Sequence, residues 1–210
     1  MQVAKSELMT PHQALAANGK SFNWARRFLG RRMGGDAATL YRFCRVLDDM
    51  ADGDIVEGPR RLLTIRDDLS GGHRATDPLL AGFMPFIQQQ NLPVPVIVAL
   101  IDGLLQDQKP VRIVDERALR RYAYRVAGTV GLLMCHVLDC DNDAARAHAI
   151  DLGIAMQLTN IARDVLEDAE MGRRYLPASW VGDVTPAQIA AASLAPDGDV
   201  AQSLRMAVRQ

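Results

Sequence analysis

Apolar residues recur every three to four positions along almost the whole chain, the spacing that places them on one face of an α-helix. Proline and glycine interrupt this pattern and mark the helix ends. Two capping boxes with proline at the first helical position, Thr10–Gln13 and Thr185–Gln188, give clear starts. The pattern predicts helices over Ser21–Leu29, Asp36–Met50, Pro59–Leu69, Pro78–Gln89, Pro93–Leu105, Asp115–Leu138 with an interruption at Gly128 and Gly131, Asp143–Ala169, and Ala201–Gln210.

Signals for strands do not emerge from the sequence. There is no alternation of strands and helices, no GxGxxG motif and no short internal repeat. The hydrophobic content is 49% with only 5% aromatic residues, which suits helices better than strands. We therefore predict an all-α fold in a single domain over residues 1–210. The last helix has no capping signal after it, so we expect the sequence to be truncated at the C-terminus of its fold.

Composition and charge narrow the function classes. The 24 Lys and Arg residues against 25 Asp and Glu give a net charge of −1, which does not favour a nucleic-acid partner. The three cysteines have no CxxC spacing and are typical of thiols in a reducing compartment. The N-terminus lacks a signal-peptide pattern, and the longest apolar stretch, Val94–Leu105, is too short to span a bilayer. We expect a cytoplasmic protein that can still dock on a membrane.

The first of two acidic clusters lies at the end of the predicted helix Asp36–Met50. Asp48 and Asp52 are four residues apart, so both carboxylates face the same side of a helix. At about 100° per residue they share with Tyr41 and Arg45 a stripe about 60° wide. Apolar residues cover most of the remaining circumference, whereas a surface helix would show a broad charged face.

The second acidic cluster repeats this arrangement in the predicted helix Asp143–Ala169. Asp164 and Asp168 are again four residues apart, and with Gln157 and Asn160 they border the apolar face of the helix. Half-buried carboxylates are costly unless a cation neutralises them. The two clusters are therefore candidates for a shared cation site.

The residue types predict which cation this is. Carboxylate and amide oxygens suit Mg²⁺, with Mn²⁺ as an alternative, whereas Zn²⁺ prefers His or Cys. The four histidines show no ligand spacing to one another. A single DDxxD motif is common on exposed helices, but two clusters on mostly apolar helices, each beside an arginine (Arg45 and Arg163), favour a functional site. Together they could hold several Mg²⁺ ions and a diphosphate.

The two clusters belong to longer strings that resemble the motifs of the squalene/phytoene synthase family. Tyr41–Asp52, YRFCRVLDDMAD, resembles the first aspartate-rich motif of that family. Gln157–Asp168, QLTNIARDVLED, followed by GRRYLP at Gly172–Pro177, looks like the second. Lys20–Phe22 and Tyr124–Gly131 match two further family blocks in the right order. The resemblance runs from about Lys20 to Trp180.

This resemblance implies an isoprenoid-synthase helical bundle in which the two aspartate-rich helices face each other across a central cavity. It implies metal ligands at five positions: Asp48, Asp52, Asn160, Asp164 and Asp168. It implies contacts with substrate or diphosphate at Ser21, Phe22, Tyr41, Arg45, Gln157, Asn160 and Arg163. Catalytic roles are implied for Asp48, Asp52 and Asp164, and for Tyr124 in the carbocation chemistry. Asp49 is a weaker candidate because it points away from the stripe.

The implied reaction is the Mg²⁺-dependent head-to-head (1′–1) condensation of two prenyl diphosphates. Asp151–Asp164 and Arg174–Trp180 look most like bacterial phytoene synthases. Those enzymes join two geranylgeranyl diphosphates through prephytoene diphosphate to phytoene, in carotenoid biosynthesis. They use no reductant, so NADPH is not expected.

Several alternatives stay open at this point. Squalene-type, dehydrosqualene-type and presqualene diphosphate synthases of the family act on farnesyl diphosphate, and chain length depends on cavity depth. A non-enzymatic assembly factor and a terpene cyclase are further alternatives on the same fold. The sequence departs from the family pattern in two ways. Leu166 stands where many members have glycine, and the C-terminal helical segment of the family is not part of this sequence, which ends at Gln210. A lipophilic product would favour a peripheral membrane position, and the sequence does not indicate an oligomeric state.

Overall fold

The computed structural model of the chain is a bundle of α-helices. It describes residues 5–140, 142–194 and 197–210, except for the side chains of Lys5 and Ser21. Within these ranges it contains no strand, only an isolated bridge between Arg112 and Arg174. The predicted all-α fold is confirmed. Its helices are α1 (Lys5–Leu8), α2 (Pro11–Asn18), α3 (Lys20–Ala25), a 3₁₀ turn (Arg26–Phe28), α4 (Gly30–Ala51), α5 (Gly58–Gly71), α6 (Pro78–Gln89), α7 (Val94–Gln106), α8 (Glu116–Ala123), a π-helical turn (Tyr124–Gly128), α9 (Thr129–Val137), α10 (Asp143–Arg163), α11 (Val165–Glu170), α12 (Ala178–Val181), α13 (Pro186–Ala192) and α14 (Asp199–Val208).

Helix α4 is the centre of the main core. Its 22 residues span about 33 Å, and it packs against α2, α5, α7 and α9. Leu40, Val46 and Leu47 are completely buried, and the ring of Phe43 stacks on Phe83 with centroids 3.7 Å apart. This packing fixes the helix that carries the first acidic cluster, because large apolar side chains in a dense core cannot shift independently.

A second, smaller core holds the segment that follows the second acidic cluster. Tyr175 and Leu176 pack there with residues of α8, α10 and α12. Arg174 is buried and donates from Nη1 to the carbonyl of Gly182 at 2.6 Å. Its backbone N–H also donates to the carbonyl of Val111 at 3.0 Å. These contacts hold the GRRYLP segment against the loop that precedes α8.

Two glycines allow α10 to approach α9 and the π-helical turn closely. A Cβ atom at Gly131 would lie 2.2 Å from the carbonyl oxygen of Ala149. A Cβ atom at Gly153 would lie 2.4 Å from the carbonyl oxygen of Ala127. Both distances are far below a van der Waals contact, so only glycine fits at these positions.

The observed helices differ from the predicted ones in three places. The predicted helix Asp143–Ala169 is divided at Asp164, which has φ −102° and ψ 18° and belongs to neither α10 nor α11. The predicted helix Asp115–Leu138 consists of α8, the π-helical turn and α9, and the turn ends at Gly128, the predicted interruption. Helix α4 begins at Gly30, earlier than the predicted Asp36. The glycines at its start weaken the sequence pattern for a helix but do not prevent the helix from forming. Both predicted capping boxes are present.

None of the described helices combines the length and the apolar character that crossing a lipid bilayer requires.

Candidate active site

A cavity of about 530 Å³ lies beside α4 and gathers residues from both halves of the sequence. Tyr41, Arg45 and Asp48 line it along one face of α4. Phe22 from α3 and Gln157 from α10 line the same cavity. Five residues predicted from three separate segments therefore meet in one place.

The cavity is charged at one end and mostly apolar along its walls. On α4 the lining residues run from Ala37 to Asp48, a distance of about 16 Å at 1.5 Å per residue. Asp48 and Arg45 supply charge at one end, where Asp107 also lies. The apolar lining comes from Leu15, Ala25, Leu29, Ala37, Leu40, Leu104, Val126, Val130, Met134 and Leu138, and Arg26 is a further charged residue of the lining. Such a cavity suits an amphiphilic ligand with a charged head and a hydrocarbon tail.

The first acidic cluster carries negative charge that its surroundings only partly balance. Burial raises the pKa of Asp48 to about 6, and the charge of Asp52 acts in the same direction. Arg45 partly opposes this, since its Nη1 lies 3.2 Å from Asp48 Oδ2. Arg45 also forms an ion pair with Asp49, the buried member of the motif. Asp49 therefore positions the guanidinium instead of facing the cavity.

The second acidic cluster is divided by the break between α10 and α11. Arg163 donates to Asp164 from both Nε and Nη2 at 2.6 Å, and this pairing lowers the pKa of Asp164. Asp168, one turn further, behaves differently: burial raises its pKa to about 6, and the charge of Asp164 adds to the effect. Asp168 is thus the member of this cluster that most lacks a neutralising partner.

Sequence reasoning missed Asp107, a carboxylate that lies between the two clusters. It follows α7, and its charge acts on both Asp48 and Asp168. The hydroxyl of Tyr122 donates to Asp107 Oδ2 at 2.7 Å, and this hydrogen bond acts to lower the pKa of the carboxyl group. Burial still raises the pKa of Asp107 to about 6. No local motif marks this residue, so only the tertiary arrangement reveals it.

A second missed residue, Arg173, connects the two clusters directly. Its Nη2 lies 3.0 Å from Oδ1 of Asp52, across 121 positions in sequence. The charge of Arg173 also acts on Asp168 and on Asp107. The sequence signal for Arg173 is its place in the GRRYLP string. The structure separates the two adjacent arginines of this string: Arg174 bonds to carbonyl groups, and Arg173 faces carboxylates.

The remaining predicted residues lie outside the lining of the main cavity or outside the described part of the chain. The side chain of Ser21 is not described. Within the described residues, six further predicted positions do not line the cavity: Asp52, Tyr124, Asn160, Arg163, Asp164 and Asp168. Tyr124 begins the π-helical turn, whereas Tyr122, two residues earlier, lines the cavity.

The donor chemistry of this region fits Mg²⁺, although no compact protein cage is present. Among the described residues, no three His, Cys, Asp or Glu side chains converge closely enough to enclose an ion. Asp48, Asp107 and Asp168 nevertheless carry under-compensated charge, and Oδ1 of Asp107 is buried without a hydrogen-bond partner. Mg²⁺ usually takes one or two carboxylates together with water and substrate phosphates. Dispersed carboxylates at the charged end of the cavity, Asp48 and Asp107, with Asp168 close enough for their charges to interact, match this requirement.

The sequence profile of the family described as squalene/phytoene synthase matches residues 15–210. The chain belongs to the squalene/phytoene synthase family. Two curated relatives illustrate the range of the family. A phytoene synthase of Cereibacter sphaeroides is 34% identical over 191 residues, which cover 85% of this chain and 54% of the relative. A presqualene diphosphate synthase of Rhodopseudomonas palustris is 37% identical over 177 residues, covering 82% of this chain and 63% of the relative.

A solved structure supports the same family. The squalene synthase HpnC of Alicyclobacillus acidocaldarius has a TM-score of 0.68 and 25% identity, covering 92% of this chain and 78% of that structure. The chain thus spans between about half and two thirds of the length of these curated relatives.

Proposed function

We propose that this chain carries the prenyl-diphosphate site of a head-to-head condensing enzyme that joins two geranylgeranyl diphosphates to phytoene. The observation that carries the proposal is the cavity in which Asp48 of the first acidic cluster and Asp107 meet apolar walls. A diphosphate group with its metal ions fits the charged end, and a prenyl chain fits the walls. Membership of the squalene/phytoene synthase family supports the same substrate class.

At the charged end, this chain would bind and orient the leaving diphosphate. Asp48, Asp52, Asn160, Asp164 and Asp168 would hold Mg²⁺, and we add Asp107 to this set because of its position between the clusters. Bound Mg²⁺ supplies positive charge that stabilises a departing diphosphate. Arg45 and Arg173 contact carboxylates of the first acidic cluster, so both guanidinium groups lie where a diphosphate would bind. Guanidinium groups bind phosphate oxygens well because their donors form a planar fork.

Along the walls, the protein would protect the carbocation that remains after diphosphate leaves. Aliphatic side chains of the lining would limit the access of water, and the aromatic rings of Phe22 and Tyr41 lie 6.3 Å apart at the cavity. Ring faces can stabilise a cation without reacting with it. Burial raises the pKa of Tyr41 and raises that of Cys44 to about 12, so both groups stay neutral at physiological pH. Neither can then trap the carbocation as an anion.

The proposed reaction is balanced without a redox partner. The first step breaks one allylic C–O bond, forms a cyclopropyl intermediate with the second substrate, and releases diphosphate and a proton. The second step releases the other diphosphate, rearranges the carbon skeleton and loses a second proton to give phytoene. No reductant is consumed, so we propose that NADPH is not needed.

A second candidate is condensation of two farnesyl diphosphates to presqualene diphosphate or a C30 hydrocarbon. The relative from Rhodopseudomonas palustris, a presqualene diphosphate synthase by name, favours it, being 37% identical to this chain. The two candidates share the charged end of the cavity and differ in the length of the apolar part that is filled. Only the product distinguishes them.

The decisive experiment is product analysis by mass spectrometry. The chain is incubated with Mg²⁺ and either geranylgeranyl or farnesyl diphosphate, with and without NADPH, and the assay is repeated on a chain extended to the length of the relatives. A C40 hydrocarbon formed without NADPH supports the proposal, and presqualene diphosphate or a C30 hydrocarbon supports the second candidate. Absence of any condensation product from the extended chain in the presence of Mg²⁺ would refute both.

Asp54→Asn is the matched control for these assays. Asp54 is an exposed aspartate just past the end of α4 and does not line the cavity. Its neutralisation changes the net charge as Asp48→Asn does, without touching the proposed site. Product formation should survive in the control and be lost in Asp48→Asn.

A further inference from the structure

An exposed aromatic pair lies beside the cavity and takes no part in lining it. The rings of Trp24 and Phe28 pack edge to face with centroids 4.9 Å apart. Trp24 is 63% exposed and Phe28 is 73% exposed. Two large aromatic side chains held together in solvent leave apolar area uncovered, which usually marks a surface that meets another apolar phase.

The segment that carries this pair has two different faces. Phe22, Ala25, Arg26 and Leu29 line the cavity, at the spacing of one helical face. Trp24 and its partner Phe28 lie outside that lining, on the solvent side. The inner face thus belongs to the proposed substrate cavity, and the outer face lies at its edge.

The segment that carries the outer face is positively charged. Between Asn18 and Gly35 the sequence contains five Lys and Arg residues and no Asp or Glu, in a chain whose net charge is −1. Arg32 is paired with Asp139 and Arg26 bonds to Asn23. The other three cations, Lys20, Arg27 and Arg31, are exposed and have no carboxylate partner within the described residues. The unpaired charge therefore lies in the same short segment as the aromatic pair.

We propose that this outer face, formed by Lys20, Trp24, Arg27, Phe28 and Arg31, docks the protein on an anionic lipid surface. Tryptophan and other aromatic rings favour the headgroup region of a bilayer, where one side is apolar and the other is wet. Lys and Arg add attraction to anionic headgroups, which a neutral or cationic partner would not provide. Docking through this face would place the cavity edge, with Phe22 and Leu29, next to the bilayer, the phase in which prenyl chains dissolve.

Vesicle cosedimentation of the whole chain tests this proposal without any substrate. Vesicles of phosphatidylcholine with phosphatidylglycerol are compared with pure phosphatidylcholine, at about 0.1 M and about 1 M salt, where screening lengths are about 10 Å and about 3 Å. We expect binding to the anionic vesicles that weakens at high salt. The double variant Arg27→Gln/Arg31→Gln should bind about 25-fold more weakly, since each cation near such a surface contributes about fivefold. Trp24→Ser/Phe28→Ser should weaken binding at both salt concentrations.

Matched controls separate this face from general charge and hydrophobicity. Arg117→Gln/Arg121→Gln removes two exposed arginines of α8, and Val56→Ser/Leu63→Ser removes two exposed apolar side chains outside the cavity lining. Both controls should bind vesicles like the parent chain. Equal binding by parent and both test variants, or no binding to anionic vesicles, would overturn the proposal. Self-association of the parent chain that Trp24→Ser/Phe28→Ser abolishes, with no lipid binding, would overturn it in favour of a second copy on this face.

The outcome does not depend on the proposed condensation. None of the four substituted residues of the test variants lines the cavity, so turnover of short-chain substrate in detergent should be unchanged. Loss of vesicle binding with retained turnover supports docking, whereas absence of turnover in every protein with intact vesicle binding would contradict only the proposed function.

Discussion

The Asp48 carboxylate lies at the charged end of the cavity, with its side chain 45% exposed and its Oδ2 3.2 Å from Arg45 Nη1. Asp48→Asn keeps the shape of the side chain and removes its charge. Because the proposed role of Asp48 is to hold Mg²⁺-diphosphate, turnover should fall by about 10²–10³-fold or more. Without metal at pH 7, the variant should be more stable than the parent by about 1 kcal/mol, since solvent screens part of the repulsion that is removed. Steady-state kinetics and thermal unfolding measure the two effects.

Asp54→Asn again serves as the control for Asp48→Asn, and should alter neither turnover nor the unfolding temperature by a measurable amount. Near-normal turnover in Asp48→Asn would show that the first acidic cluster does not bind the metal. A clear loss of stability would instead show that the carboxylate has a structural role.

Tyr122 allows a second prediction at the scale of one hydrogen bond. Tyr122→Phe removes the 2.7 Å bond to Asp107 and leaves the ring, which packs 4.9 Å from that of Tyr175. We propose that this hydrogen bond orients Asp107 to bind Mg²⁺ with its diphosphate. Loss of the bond should then raise the Mg²⁺ concentration needed for half-maximal activity by about 10–100-fold. A Mg²⁺ titration of turnover measures this directly.

Tyr124→Phe is the natural comparison, two positions further along. The family resemblance implies that Tyr124 acts on the carbocation, so this variant should leave the Mg²⁺ titration unchanged and slow the rearrangement of the cyclopropyl intermediate. Equal Mg²⁺ titrations for the parent and Tyr122→Phe would remove Asp107 from the proposed metal set.

The difference between the predicted and the missed site residues has a physical reason. Tyr41, Arg45 and Asp48 share one helix, where fixed geometry converts sequence spacing into direction. Asp107 and Arg173 join the site through contacts that no short string encodes. The ion pair of Arg173 with Asp52, for example, spans 121 positions. Sequence spacing therefore predicts which residues of α4 face the cavity, whereas the residues opposite them depend on tertiary packing.

At the scale of helices, the break at Asp164 shows where periodicity fails. Apolar residues keep their spacing on both sides of this position, so periodicity alone predicts an uninterrupted helix. Neighbouring side chains on a helix point about 100° apart, so they cannot readily pair. Arg163 and Asp164 are nevertheless joined by two bonds of 2.6 Å, which accompany the non-helical backbone at Asp164. Helical periodicity therefore does not give the direction of Asp164, because the backbone at that position is not helical.

The close approach of α10 to the π-helical turn leads to a prediction about a single methyl group. In Gly153→Ala, the new Cβ would lie 2.4 Å from the carbonyl oxygen of Ala127, so α10 must move away. Overpacking of this kind costs about 1–3 kcal/mol. The unfolding temperature should fall by about 2–4 °C per kcal/mol, and turnover should fall with it because α10 carries Gln157.

Gly82→Ala is the matched control for this substitution. Gly82 lies in α6, and a Cβ there would have no neighbour within 4 Å. Alanine is favoured over glycine in a helix, so this variant should be more stable by up to about 1 kcal/mol. An unchanged or higher unfolding temperature in Gly153→Ala would show that the helices can separate without cost.

For the whole molecule, the three carboxylates whose pKa is raised to about 6, Asp48, Asp107 and Asp168, set the pH dependence of stability. The unfolded carboxyl has a pKa of 3.8, so between about pH 4 and pH 6 the folded chain holds protons that the unfolded chain has lost. Stability must then fall as pH rises through this window. Asp164, whose pKa is lowered, acts with the opposite sign, but only at pH values below the same window.

Without metal, the unfolding temperature should therefore be higher near pH 5 than near pH 7, and Mg²⁺ with diphosphate should reverse the order. At pH 7 the three carboxylates are charged, and a bound cation removes their repulsion. Near pH 5 they are mostly protonated and bind metal weakly. Thermal unfolding at both pH values, with and without Mg²⁺ and diphosphate, measures this.

The double variant Asp48→Asn/Asp168→Asn should show a flatter pH dependence and little response to Mg²⁺, whereas Asp54→Asn should follow the parent. The prediction is contradicted if the stability of the parent chain without metal rises from pH 5 to pH 7 and the double variant shows the same slope. These carboxylates would then not be the source of the repulsion that a cation relieves.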